Sequence, residues 1–181
     1  RLVEATRVDA AIPQVTVRSD SAPALSAYRG PNPAELLFLD LPLLTGDEIA
    51  HAPYVAATGD PWPGSVALYG AAQDSDYALL GTLRHAAVIG ETQTSLAAGP
   101  VGIWDRQSGV AVKLVSGALS TATQEALLAG ANLMAIGTGA PDTWEVLQFQ
   151  MATATGAGQF ALRGLLRGQF GTWGVMPPVW Q

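Results

Sequence analysis

Apolar and polar residues alternate most regularly in residues 144–172. Leu147, Phe149 and Met151 recur at a spacing of two, which is the period of an extended strand. A turn with two glycines follows at residues 155–158, and glycine tolerates the positive φ that a tight reversal requires. The alternation then resumes after this turn. The pattern predicts a β-hairpin with one buried face.

The return arm of this hairpin and the corner after it carry two arginines. The alternation places Phe160, Leu162 and Leu166 on one face and Ala161, Arg163 and Leu165 on the other. Arg163 and Arg167 are four residues apart, so on a strand they point to the same side. Solvated edge charges that discourage strand pairing are one interpretation. For Arg167 we favour hydrogen bonds to turn carbonyls, which would fix the corner containing Gly168 and Gly171.

Short alternating runs separated by glycine and proline predict strands through the rest of the chain. They cover residues 1–12, 35–41, 54–57, 65–71, 77–83, 86–89, 91–96, 101–104, 110–115 and 132–136. Residues 101–104 and 110–115 are expected to pair as a hairpin. One short helix is predicted at 122–129, with Thr121 as its N-cap and Gly130 as its terminator. These elements predict an all-β fold of sandwich or barrel-like units with one short helix.

Changes in composition divide the chain into five parts. The chain begins at Arg1 with sequence typical of mid-strand, which favours a piece of a longer polypeptide. Gly99 and Pro100 mark the best internal boundary. The predicted parts are an end strand of an upstream domain (1–12), a linker (13–33), a β domain (34–99), a second β unit with the C-terminal hairpin (100–176) and a tail (177–181).

Composition narrows the functional classes. Hydrophobic residues make up 49% of the chain and charged residues only 13%, where about a quarter is usual. Such a chain is expected to bury part of its exterior against other subunits, although an alanine-rich composition alone is the alternative. The net charge of −6 argues against nucleic-acid binding. No apolar run reaches the roughly 18 residues of a transmembrane helix. Cysteine is absent, which excludes disulfides and thiolate metal sites and fits assembly in a reducing cytoplasm.

No arrangement of residues indicates catalysis or a cofactor. A glycosidase needs two carboxylates roughly 5–10 Å apart across the sugar, whereas most acids here fall in polar turns. Glu145 has the most suggestive position, but an acid on the solvent face of a hairpin is expected to be only solvated. His51 and His85 are too far apart in sequence to form a close pair of zinc ligands. We therefore predict no catalytic, cofactor-binding or metal-binding residue.

One aromatic residue suggests a binding surface. Trp62 lies between two prolines, where the backbone is stiff, and an indole held on a loop can stack on a sugar or anchor a partner protein. Tyr54 and His51 lie near it in sequence and complete a candidate platform for a glycan or a protein. The alternative is that Trp62 folds down to cover one end of the β core.

Short motifs follow one another in a characteristic order over residues 33–172. They are Leu39-Asp40-Leu41-Pro42, Pro61-Trp62-Pro63-Gly64 followed by Val66-Ala67-Leu68-Tyr69, Trp104-Asp105-Arg106, Gly130-Ala131-Asn132, and in the hairpin Glu145, Leu147, Gln148, Phe149, Gly158, Leu162, Leu165, Leu166, Arg167, Gly168, Gly171 and Thr172. In this order they resemble the C-terminal region of the multidomain baseplate ("megatron") protein of gene transfer agents and related phage tails, a glycoside hydrolase/phage tail family.

The resemblance implies a structural component of a tail baseplate that acts through protein–protein packing and has no enzymatic activity. The family's glycoside hydrolase label refers, by resemblance, to a barrel-like domain upstream of this chain. The implied partners are hub, distal tail and fibre-type proteins, together with copies of the chain itself in a ring of three. The implied location is the virion tail, assembled in the bacterial cytoplasm. The alternative function is a carbohydrate-binding module that attaches the particle to a cell-surface glycan, with Trp62 and Tyr54 as its platform.

Overall fold

Strands account for 43% and helix for 8% of the residues that the structure describes, so the all-β prediction is confirmed. The computed structural model describes residues 33–49, 51–176 and 179–180. The predicted strand 1–12, the linker up to residue 32 and most of the tail lie outside these residues. Pro31–Gln181 form one compact unit.

The described elements follow one another in chain order with short connections. They are β1 (Glu35–Leu39), β2 (Tyr54–Thr58), β3 (Val66–Gly70), β4 (Ala78–Leu83), β5 (Gly90–Thr92), β6 (Leu96–Ala97), β7 (Asp105–Leu114), helix α1 (Gln124–Leu128), β8 (Leu133–Ile136), β9 (Glu145–Gly156), β10 (Gln159–Leu166), a 3-10 helix (Gln169–Val175) and β11 (Val179–Trp180). No helix of this described part is long and apolar enough to cross a membrane.

Five strands form the central sheet, in the order β5-β7-β10-β9-β8, and every neighbouring pair is antiparallel. The sheet curls into a half-barrel. β5 precedes the predicted boundary at Gly99–Pro100 and hydrogen-bonds to β7 beyond it, so the sheet takes strands from both sides.

The core is formed mainly by apolar side chains of β7, β9 and β10. Its buried members are Leu96, Val110, Val112, Ile136, Leu147, Phe149, Leu162 and Leu165. Residues 145–149 of β9 are all buried, which means that this strand is covered on both faces. Helix α1 and the 3-10 helix contact β9 and supply the second cover. Each fully buried aliphatic or aromatic side chain contributes about 1.5–3 kcal/mol to folding.

The C-terminal hairpin is confirmed, with β9 and β10 joined through Ala157 and Gly158. The prediction of a single buried face is wrong, because Leu165, which the alternation places opposite Leu162, is also completely buried in the same core. Gly164 adopts φ +66, and the pairing register shifts between Arg163 and Leu165. At this bulge β10 advances by two residues while β7 advances by four, from Gly109 to Asp105, so strict alternation is broken and Leu165 also reaches the core.

The short helix is confirmed, but its N-cap is Thr123 and not Thr121. The Thr123 hydroxyl accepts a hydrogen bond from the Ala126 N–H at 3.2 Å. Thr121 faces β9 instead, where its hydroxyl accepts from the Ala152 N–H at 3.1 Å. Gly130, at φ +94, follows the helix as predicted.

The hairpin predicted between residues 101–104 and 110–115 is wrong. Residues 105–114 form one strand, and Val101 makes only an isolated parallel bridge to Arg167. The polar run after Asp105 does not reverse direction, because the Asp105 carboxylate accepts the N–H groups of Gln107 and Ser108 at 3.1 and 2.9 Å. These hydrogen bonds satisfy two backbone N–H groups at a local irregularity within β7.

The remaining strands form three smaller sheets of two strands each: β1 with β2, β3 with β4, and β6 with β11, all antiparallel. The strands predicted at 35–41, 54–57, 65–71 and 77–83 are therefore present, with slightly different ends. The β3–β4 pair contains a register shift between Leu68 and Tyr69.

Candidate functional site

A buried ion pair joins the first residue of β9 to the corner after β10. The Arg167 Nε donates to Glu145 Oε1 at 2.6 Å, and its Nη2 donates to Glu145 Oε2 at 2.7 Å. Both side chains are 0% exposed. A two-pronged contact of this kind fixes direction as well as distance, because both groups are planar. Removing either partner would leave a buried charge without its counter-charge.

The surroundings of the pair tie three separate segments together. The third arm of the guanidinium, Nη1, donates to the Ala97 carbonyl of β6 at 2.8 Å. The Gly168 N–H donates to Glu145 Oε1 at 3.2 Å. Gly168, Phe170 and Gly171 have φ of +61, +54 and +81, so the corner continues into the 3-10 helix through three left-handed positions. The pair therefore anchors the corner, β6 and β9 to one another.

Three sequence-based expectations about these charges differ from the structure. Glu145 is not solvated on a hairpin face, because the 3-10 helix covers that end of β9. Arg163 and Arg167 do not share a side, since Arg163 is exposed whereas Arg167 is buried beyond the Gly164 bulge. Arg167 donates to a carbonyl of β6, whereas the sequence analysis favoured hydrogen bonds to carbonyls of the turn.

Asp105 is a third buried charge near the pair, at 4% exposure. Burial acts to raise the pKa of Asp105, but hydrogen bonds from Ser108 and Gln107 and the Arg167 charge outweigh it and lower the pKa below its usual value. Its Oδ2 has no hydrogen-bond partner within the described residues. A Cβ on Gly99 would lie 2.8 Å from this oxygen and 2.9 Å from Arg167 Nη1, so only glycine fits between them.

Two further buried polar side chains hydrogen-bond between β9 and the two helices that pack on it. Thr172 of the 3-10 helix accepts a hydrogen bond from the Val146 N–H at 2.9 Å. The Gln148 amide donates to the Leu127 and Ala131 carbonyls at the end of α1, both at 2.7 Å. Every contact in this set satisfies a backbone or side-chain group of the protein itself. The arrangement therefore gives rigidity, and neither oxygen of Glu145 is left open to a substrate.

The residues of the predicted platform lie in and near β2. His51 is exposed, Tyr54 and Trp62 are half-buried, and the Trp62 Nε1 is buried without a partner in the described part of the chain. The Tyr54 hydroxyl accepts from the Leu44 N–H at 3.1 Å and donates to the Pro42 carbonyl at 3.5 Å. The Tyr54 hydroxyl is therefore already engaged in hydrogen bonds with the loop before β2.

A shallow cleft of about 290 Å³ lies at the other side of the corner. Asp40, Asp142, Trp144 and Phe170 are among its lining residues. Trp144 is 7% exposed, and a Cβ on Gly137 would come within 2.5 Å of its ring, so this indole is packed against the chain. Among the described residues no group of three histidines and acids could hold a metal ion.

The largest apolar side chains of β3 and β4 point away from the protein. Tyr69 and Leu79 are opposite each other in the register and are 57% and 56% exposed. Tyr77, two residues before Leu79, is 58% exposed. We call Tyr69, Tyr77 and Leu79 the hairpin face. The sequence pattern placed these residues in strands but gave no sign that they would remain uncovered.

Leu80 extends the exposed apolar surface to the opposite side of the hairpin. It lies over Gly70, where a Cβ would come within 2.5 Å of the Leu80 Cδ1, and it is 67% exposed. Nearer the base, Val66, Leu68 and Leu83 are half-buried. Residues 71–80 are all exposed. The distal half of the hairpin is therefore apolar and uncovered on both sides, which is typical of an interaction surface.

Comparison with protein families identifies a match to the second half of the chain. Residues 87–181 match the family model described as Rcc01698-like, C-terminal. The matched range begins before β5 and includes the whole central sheet, the ion pair and the corner. No curated protein matches the chain.

Proposed function

The chain belongs to the Rcc01698-like C-terminal family, whose name is associated with gene transfer agents, and from this membership we propose that it is a structural component of a phage-like tail baseplate. It acts by packing against other baseplate proteins of the hub, distal tail and fibre type and against copies of itself, as a trimer. It resides in the virion tail after assembly in the bacterial cytoplasm, and it catalyses no reaction.

The observation that carries this proposal is the contrast between a central sheet with a buried core and a β3–β4 hairpin whose apolar side chains are uncovered. The buried pair of Glu145 and Arg167 and the core around Leu162 hold the sheet without any partner. The distal β3–β4 hairpin leaves four large apolar side chains in solvent. Contiguous exposed apolar surface on a chain with few charges indicates association with other proteins.

The direct test is to purify gene transfer agent particles and to search the tail-tip fraction for peptides of this chain. We expect the chain in that fraction at a fixed ratio to the other tail proteins. Its absence from particles would contradict the proposal.

The chain expressed alone gives a second test. An obligate assembly interface is on the order of 2,000 Å² or more, so the isolated chain is expected to be poorly soluble or to self-associate. Analytical ultracentrifugation over a dilution series measures this. A monomer that stays stable on dilution would count against the proposal.

Two other outcomes would replace it. Glycan-array binding that disappears in Trp62→Ala, with the fold intact, would favour the attachment role. Hydrolysis of a glycan that disappears in Asp40→Asn or Asp142→Asn would show an enzyme acting at the cleft between those residues.

A further inference from the structure

The distal half of the β3–β4 hairpin, residues 69–80, combines three features that together specify a kind of partner. Its two sides are both apolar and uncovered, with Tyr69, Tyr77 and Leu79 on one side and Leu80 on the other. Its turn carries Asp74 and Asp76, and residues 64–83 contain no lysine or arginine. A two-stranded hairpin is at best marginally stable in water without a surface to pack on.

Exposure on both sides determines the shape of the partner. A flat surface could cover the hairpin face but would leave Leu80 in water. A cleft that admits the hairpin tip covers both sides at once. Tyrosine is enriched among the residues that dominate binding energy, and it loses little conformational entropy when it is buried.

The charge of the turn determines the sign of the charges that the partner carries at the edge of that cleft. The partner must place lysine or arginine near Asp74 and Asp76, since like charges across an interface oppose association. A second copy of this chain would bring the same acidic turn, and the whole chain has a net charge of −6 with only nine basic residues. Charge therefore favours a different protein over a second copy.

The same residues argue against a glycan as the occupant. The Tyr77 hydroxyl donates to Asp74 Oδ1, so the carboxylate closest to the hairpin face is already engaged within the hairpin. Leu79 and Leu80 have no flat ring or polar group to offer a sugar. A saccharide would also leave one side of the hairpin uncovered.

We propose that the distal β3–β4 hairpin inserts as a wedge into an apolar cleft of another protein of the particle, and that basic side chains surround the mouth of this cleft. The inference rests on the proposed function and adds to it the contacting element, the shape of the partner and the sign of its charge.

Hydroxyl-radical footprinting of the wild-type chain, free and within purified particles, tests the wedge without any variant. The oxidation rates of Tyr69, Leu79 and Leu80 are expected to fall roughly fivefold or more in the particle, as side chains more than half exposed become core-like. The exposed Ile49, at 64% exposure and outside the hairpin, is the internal reference. Equal protection of Ile49 would mean general occlusion and would overturn the proposal.

The outcomes separate this inference from the proposed function. If particles contain the chain but Tyr69 and Leu80 keep their free rates, the wedge is wrong and the baseplate role stands. Protection of Tyr69 with Leu80 unchanged would indicate a flat contact and would also overturn the wedge. If particles lack the chain, both proposals fail.

Cross-linking and charge neutralisation test the identity of the partner. Photo-cross-linking from Tyr69→p-benzoylphenylalanine within particles is expected to join the chain to a different polypeptide, whereas a cross-link to a second copy would overturn the charge argument. Asp74→Asn combined with Asp76→Asn keeps the turn, because asparagine tolerates the φ of +54 at position 76. We expect this double variant to enter particles roughly two- to tenfold less well than Asp47→Asn. Equal incorporation of the two would contradict a basic rim.

Discussion

The central sheet and the β3–β4 hairpin use their apolar side chains in opposite ways. In the sheet, Leu147, Leu162 and Leu165 are completely buried, and a paired glutamate and arginine close one end of the core. In the hairpin, Tyr69, Leu79 and Leu80 are more than half exposed. Apolar residues of the same type therefore serve folding in one region and are available for association in the other.

The ion pair should show the largest single effect on folding. We expect Arg167→Ala to lower the free energy of unfolding by about 3–5 kcal/mol, because Glu145 would keep a buried charge without its counter-charge. Urea denaturation measures the change. Arg163→Ala is the matched control, since Arg163 is exposed on β10 four residues before Arg167, and it should change stability by no more than about 0.5 kcal/mol. Similar losses in both variants would contradict the assigned role of the pair.

A matched pair of leucines tests whether the sheet and the β3–β4 hairpin use apolar side chains differently. Leu162→Ala should cost about 2–5 kcal/mol, through lost burial and the cavity left behind. Leu79→Ala should cost no more than about 0.5 kcal/mol, because Leu79 is already 56% exposed. A large loss of stability in Leu79→Ala would mean that the hairpin face contributes to the fold of the free chain.

The bulge at Gly164 should come next. An alanine there would hold a strained φ of +66, and its Cβ would lie 3.0 Å from the Gln150 Cβ. We expect Gly164→Ala to destabilise the chain by about 1–3 kcal/mol in thermal or urea unfolding. Gly81→Ala in β4 is the control, because a Cβ there meets nothing within 4 Å. Equal losses of stability in the two variants would contradict a role of the left-handed backbone at Gly164 in the fold.

The smallest effect is expected in the pH dependence of the sheet. The folded pKa of Asp105 is lower than its usual value, so the unfolded chain binds this proton more readily. The stability that Asp105 contributes is therefore present above about pH 4 and is lost as pH falls through the folded pKa. In urea titrations between pH 5 and pH 2.5, Asp105→Asn should lose less stability on acidification than the wild type. An unchanged acid dependence would show that other carboxylates determine it.

The alternation of side chains was sufficient to predict the all-β class, the hairpin of β9 and β10 and the short helix. These features depend on local sequence, since a period of two and a glycine turn specify a hairpin before any tertiary contact forms. The N-cap was missed by two residues, because Thr121 and Thr123 are equally good caps locally and only the contact of Thr121 with β9 distinguishes them.

The candidate site could not be predicted in the same way. Burial of Glu145 depends on the 3-10 helix, and burial of Leu165 depends on the Gly164 bulge, neither of which alternation can reveal. The sequence did single out Arg167, Gly168 and Gly171 as a structural corner. The exposure of Tyr69 and Leu79 was hidden for the opposite reason, because an apolar strand with a partner surface and one without it have the same pattern.

Hydrogen exchange of the free chain tests the central contrast most directly. We expect amides paired between β9 and β10 to exchange only through global unfolding. Amides paired between β3 and β4 should exchange roughly 100-fold faster or more, through local opening of a hairpin that lacks its partner. Equal protection of the two hairpins would contradict this contrast, because the β3–β4 hairpin would then belong to the same cooperative unit as the sheet.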